Sequence, residues 1–128
     1  MKSSLKFKVL WRKVYPRRSK RDYIKYKEVA RVLAKSRIAY YNTLYRFRVN
    51  RVAIKNSRSR WGSCSKKGNL NFNYKIALLP AELADYVIVH ELCHLQDLNH
   101  SKKFWELVGK TIKNYQSLNK KLKKTIIA

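Results

Sequence analysis

The sequence predicts an α+β fold. Three observations carry this reading. Apolar residues alternate with period two near the N-terminus and again between Trp61 and Ile76. Between Asp22 and Arg46 they change to helical spacing, and after Pro80 helical spacing returns to the end of the chain. Strands and helices thus follow one another in segregated runs rather than in a βαβ alternation. A chain of 128 residues suits one domain, 1–128, and no repeat, linker or Pro/Gly-rich tract divides it.

Each element has its own warrant. Leu5, Phe7, Val9 and Trp11 are spaced by Lys6, Lys8 and their neighbours, as in a strand, and Pro16-Arg17-Arg18-Ser19-Lys20 is a break. Ala30, Ala34, Ile38, Tyr41 and Tyr45 share one face of a long helix over 22–46, with Leu33 and Leu44 beside them and Lys/Arg opposite. Val52 and Ile54 mark a short strand. Trp61–Ser65, a Lys66-Lys67-Gly68 turn and the alternating Leu70, Phe72, Tyr74 and Ile76 read as a hairpin. A second helix is expected over 80–96, with Pro80 at its first position and Glu82 and Asp85 early, where the helix dipole favours acids. A third is expected from Ser101 through Trp105 and Ile112, weakened at Gly109. A basic amphipathic tail with Leu118 and Leu122 closes the chain, read as a solvated helix rather than a membrane anchor.

The net charge is +24 and it is uneven. Up to residue 60 only Asp22 and Glu28 oppose many Lys and Arg. The middle, with Lys66, Lys67 and Lys75 against Glu82, Asp85, Glu91 and Asp97, is near neutral, and the end is lysine-rich again. Basic flanks attract polyanions such as nucleic acid, although a lysine-biased solvated surface gives the same composition. No secretory h-region and no run of membrane-spanning length is present. Two cysteines, Cys64 and Cys93, without such a signal point to free thiols in a cytoplasmic setting, while a disulfide between them stays open. Oligomeric state is not legible, and a monomer is the default.

The chemistry concentrates in one helix. Val87, Ile88, Val89, Leu92, Cys93 and Leu95 make it apolar nearly all round, yet it carries His90, Glu91 and His94. A buried ionised carboxylate or imidazole needs a compensating partner. Residues four apart share a face, so His90 and His94 can converge on one metal ion, and Glu91, about 100° away, can reach a water there without binding the ion. That is the H-E-x-x-H arrangement of two zinc ligands and a general base. His100 follows after a turn and is the natural third ligand of a Zn2+ that keeps one position open. The competing readings are satisfied core histidines with an ion-paired Glu91, or a closed structural zinc site using Cys93 or Cys64. Cys93 points to another helix face. The spacing also matches the metzincin signature, but Asp97 stands where that signature has Gly, and the only methionine, Met1, leaves no methionine turn.

At these residues the chain resembles the YgjP-like metallopeptidases, relatives of the SprT-like zincin domains. The resemblance spans roughly residues 17 to 115. It runs through Arg17–Tyr23, Arg60-Trp61-Gly62-Ser63-Cys64-Ser65, Gly68–Asn73, Asp85–His94, and Asn99-His100-Ser101 with Phe104-Trp105. It implies a minimal zincin fold, a small antiparallel or mixed sheet with the H-E-x-x-H helix and flanking helices, and His100 as third ligand. The expected reaction is hydrolysis of a peptide or protein substrate with Glu91 as base. The alternative is a nucleic-acid-associated protein with a structural zinc, or a protease recruited to nucleic acid.

Lesser candidates fall around this site. Arg60, Tyr74 and Tyr86 are weak candidates for stabilising an oxyanion. Asp85, Asp97 and Glu106 are the carboxylates near enough to orient the ligand histidines. Cys64 lacks a separate His–acid pair and is a poor nucleophile candidate; its strand is more naturally a wall of the cleft. Phe104 and Trp105 are expected to pack under the metal site.

Overall fold

A computed structural model describes residues 19–125; the strand expected over 5–11 lies outside them. Helix α1 (Lys20–Tyr45) starts where Ser19 caps the Asp22 amide at 3.0 Å. It buries Ala30, Ala34 and Ile38, the stripe the periodicity predicts. It ends at Arg46, which takes the left-handed conformation at φ 58°, while the Asn42 side-chain amide donates through Nδ2 to the Phe47 carbonyl and accepts at Oδ1 from the Phe47 N–H, both at 2.8 Å.

Three short strands follow: β1 (Arg51–Lys55), β2 (Gly62–Cys64) and β3 (Asn69–Asn73). Their order is β1-β3-β2, with β3 parallel to β1 and antiparallel to β2. The sheet is therefore mixed. The β2–β3 hairpin turns at Gly68, whose φ of 84° is costly for any residue with a Cβ. Leu70 and Phe72 point into the core, and Asn69 and Asn71 take the other face.

The hairpin pattern does not continue to Ile76. Tyr74–Leu78 form a 3₁₀ turn instead. Asn73 ends the strand by accepting the Lys75 amide at 3.0 Å and donating to the carbonyls of Ser57 and Arg60 at 3.0 and 3.1 Å. In this turn Tyr74, Lys75 and Ile76 are all buried, so the alternation in the sequence does not report two faces.

Helix α2 runs Ala81–Cys93. Pro80 stands at its cap, one place before the expected first position, with extended backbone and a carbonyl that accepts from Leu83 and Ala84 at 3.0 Å. The helix is shorter than expected because His94, Leu95 and Gln96 bond three residues back, tightening the chain into turns. Helix α3 (Lys102–Gly109) begins at Ser101, which caps the Phe104 amide, and stops before Ile112, which is nevertheless buried. Helix α4 (Tyr115–Lys123) is the lysine-rich tail; it is not fully solvated, since Leu118 is buried.

α2 is the centre of the molecule, packed against α1, α3, α4 and β2. Nine of its residues are buried, and each large apolar side chain among them contributes roughly 1.5–3 kcal/mol. Arg37 on α1 grips Asp85 through two bonds of 2.9 Å, and Tyr41 adds a third at 2.8 Å. Asp85 is thus a fastener between α1 and α2, not an orienting group for the histidines. Among the described residues no helix is long and apolar enough to cross a membrane.

Candidate metal centre

The end of α2 and the turn after it bring His90, His94 and His100 together. The three Nε2 atoms form a triangle with sides of 3.2 Å. An ion about 2.0–2.1 Å from each of three tetrahedral corners needs nitrogens about 3.3–3.4 Å apart. The triangle fits that requirement closely.

The protonation pattern fits as well. His94 Nδ1 donates to the Asp97 carbonyl at 2.9 Å, which leaves its Nε2 as a lone pair. Tyr86 donates its hydroxyl proton to Asn119 Oδ1 at 3.1 Å. The same hydroxyl oxygen lies 3.4 Å from His90 Nδ1 and is placed to accept from it. His90 Nε2 then also offers a lone pair. Converging lone pairs repel one another unless a cation lies between them, so this donor set suits a divalent metal of the zinc type. Burial and the neighbouring imidazoles push the His90 pKa down to about 3, and burial lowers that of His94. Both rings are held neutral, as ligands must be.

Aromatic rings fix the imidazoles. Phe104, fully buried, stacks on His94 at 4.3 Å and meets His90 and His100 edge-on. Trp105, half-buried, stacks on His100 and on Tyr115. Phe104 is core as expected, whereas Trp105 is a wall of the site itself. His100 is exposed, which leaves the cluster open on one side.

Glu91 is 7% exposed and stands on the β2 side of α2. Burial raises its pKa to about 8, opposed by the positive charge of Arg60. A groove of about 150 Å³ opens beside it, lined by Arg60, Trp61, Gly62, Tyr86, His90 and Glu91, with Asn119 and Leu122 of α4 on its rim. Tyr74 does not line this groove; it is buried against Tyr23. The orienting partners of the histidines are a backbone carbonyl and a tyrosine hydroxyl. The Asp97 carboxylate accepts from Ser101 instead.

The cysteines take no part. Both are free. Cys93 interacts with Tyr45 on α1, away from the histidines. Burial and the nearby Glu91 push the Cys64 thiol up to about 11, the reverse of an activated nucleophile.

Three contributors were not legible as such. Gly62 makes room for Glu91, and a glycine inside a strand pattern is a known signal of close approach. Tyr86 lies one helical turn before His90, a spacing that could have flagged it. Asn119 carried no local signal.

A family model described as "YgjP-like, metallopeptidase domain" matches residues 10–125. Among solved structures, the metallopeptidase zymogen abylysin of Pyrococcus abyssi aligns with a TM-score of 0.63 at 20% identity, over 70% of this chain and 90% of that one. The zymogen jannalysin of Methanocaldococcus jannaschii aligns at 0.56 and 22% identity, over 73% and 92%. A mutant of Wss1 from Saccharomyces cerevisiae aligns at 0.57 and 20%, over 74% and 84%. At these identities the structural likeness is one of fold. The search of curated proteins gave no match.

Proposed function

The chain belongs to the YgjP-like metallopeptidases, and from that membership we propose that it is a zinc peptidase in which His90, His94 and His100 hold the ion and Glu91 is the general base. The observation that carries this reading is the 3.2 Å triangle of Nε2 atoms beside a buried carboxyl group that the charge of Arg60 offsets only in part.

When bound, zinc supplies Lewis acidity, lowering the pKa of water and polarising a carbonyl. The chain supplies the rest. Glu91 receives the proton of the attacking water on its carboxylate and returns it to the leaving amine. Its raised pKa suits both transfers, since a cation held by the histidines would draw it back towards neutrality. The Asp97 carbonyl and the Tyr86 hydroxyl hold the ring orientations of His94 and His90. Among the described residues β2 pairs only with β3, so its outer edge offers backbone groups to an extended peptide. Free thiols agree with a reducing cytoplasm.

The test is peptide hydrolysis by zinc-reconstituted protein and by Glu91→Gln. Cleavage by the first and a loss of at least about a hundred-fold in the second is the expected result for removal of a general base. Equal cleavage by both would refute the role of Glu91.

A further inference from the structure

A second groove, of about 220 Å³, lies next to the first and shares Arg60 and Gly62 with it. It sits under the crossover between β1 and β2, on the polar face of the sheet. Asn71 and Ser63 face each other across the β2–β3 pair there and bond at 3.2 Å. Lys55 is in register with Asn73 on the same face. The crossover is pinned by Asn73, whose amide holds the carbonyls of Ser57 and Arg60. The lining therefore offers two cations, Lys55 and Arg60, with hydroxyl and amide groups between them and no acid. Neither cation forms an ion pair among the described residues, although the positive charge of Arg60 reaches Glu91 in the adjoining groove.

Resting on the peptidase reading above, we propose that this groove is a substrate subsite that takes a carboxylate, so that the enzyme selects peptides with an acidic group close to the scissile bond. Alternate side chains of an extended peptide point to opposite faces. A peptide lying along β2 with one residue towards Glu91 turns its neighbours to the polar face, where the groove presents Arg60 first and Lys55 farther in, on β1. Arg60 stands two residues before β2 and lines both grooves, which places the acidic residue close to the bond cleaved. The fork of Arg60 matches a carboxylate.

The experiment measures binding, so that it does not depend on turnover. Zinc-loaded Glu91→Gln protein is titrated with short fluorescein-labelled Ala/Ser peptides, amidated at the C-terminus, carrying one Glu or one Gln at each position in turn. A parallel set with a free C-terminal carboxylate and Gln only separates a side-chain carboxylate from a chain end. At one register the Glu peptide, or the free-acid peptide, should bind about ten-fold tighter than its neutral counterpart. That ratio should fall to about two-fold or less when Lys55→Gln or Arg60→Gln is added. It should persist when Lys113→Gln, an equal loss of charge on an exposed residue outside the groove, is added instead. Equal binding of Glu and Gln peptides at every register, an equal loss with Lys113→Gln, or no binding of any peptide would overturn the subsite. The peptidase reading fails separately, if zinc-loaded wild type cleaves none of the same peptides whatever their affinities.

Discussion

Glu91 lies so close to Gly62 that a Cβ built on that glycine would stand 2.8 Å from Glu91 Cγ and 3.2 Å from its Oε2. The same Cβ would stand 3.0 Å from the Asn71 carbonyl, so the neighbouring backbone leaves no way out. The Trp-Gly-Ser-Cys strand is therefore a seat for the proposed base. Gly62→Ala should displace the Glu91 side chain and lower kcat by about a hundred-fold, since a misplacement of about 1 Å is worth that much. Zinc content should be unchanged, because the atoms nearest to a Cβ at Gly62 belong to Glu91 and Asn71 rather than to a histidine. Activity and metal lost together would show that Gly62 supports the fold rather than the base.

Tyr86→Phe removes the hydroxyl that faces His90 Nδ1 and donates to Asn119. Such orienting partners typically contribute ten- to a hundred-fold in metal affinity. Competition with a chelator should show zinc affinity weakened by about ten-fold, with Asn119→Ala giving a smaller loss in the same direction. Unchanged affinity in Tyr86→Phe would remove the tyrosine from the site's support.

Glu91 also makes a stability prediction for the metal-free protein. Its folded pKa, about 8, lies above its ordinary value of 4.5. Between these values the folded state holds the proton that the unfolded state has lost, so this residue's contribution falls as pH rises from about 4.5 to about 8. Glu91→Gln does not ionise and escapes the loss. Urea unfolding of metal-free wild type and Glu91→Gln should show the mutant gaining on wild type across that window, by roughly a few kcal/mol at its upper end. A difference that is flat with pH would mean that burial does not raise the Glu91 pKa in the folded protein.

Phe104 is wholly buried and stacks on His94. Phe104→Ala should cost about 3–5 kcal/mol and leave His94 without its support. Zinc should then restore part of the lost stability, because binding to the folded state alone shifts unfolding by mass action. A thermal midpoint that zinc does not move in this variant would separate the ring from the metal site.

Much of the site was legible because its logic is local. The spacing of His90, Glu91 and His94 on one helix is a property of the helix, and His100 needs only a turn. The face of α1 was legible for the same reason. Other features depend on contacts distant in sequence. The strand was expected to reach Ile76, but Asn73 ends it by reaching across to the Ser57 and Arg60 carbonyls. Asp85 was placed near the histidines by proximity in sequence, yet Arg37 and Tyr41 of α1 claim it. The tail was read as solvated, whereas Leu118 packs into the core and Asn119 completes the support of His90 through Tyr86.

The central claim is that the three histidines hold one zinc ion. Elemental analysis of untagged, zinc-reconstituted wild type and His94→Ala tests it most directly. About one zinc per chain in wild type, and a clear loss in His94→Ala with the fold retained by circular dichroism, is the result predicted by the geometry. A wild type that takes up no zinc, or a His94→Ala protein that keeps its full complement, would contradict it.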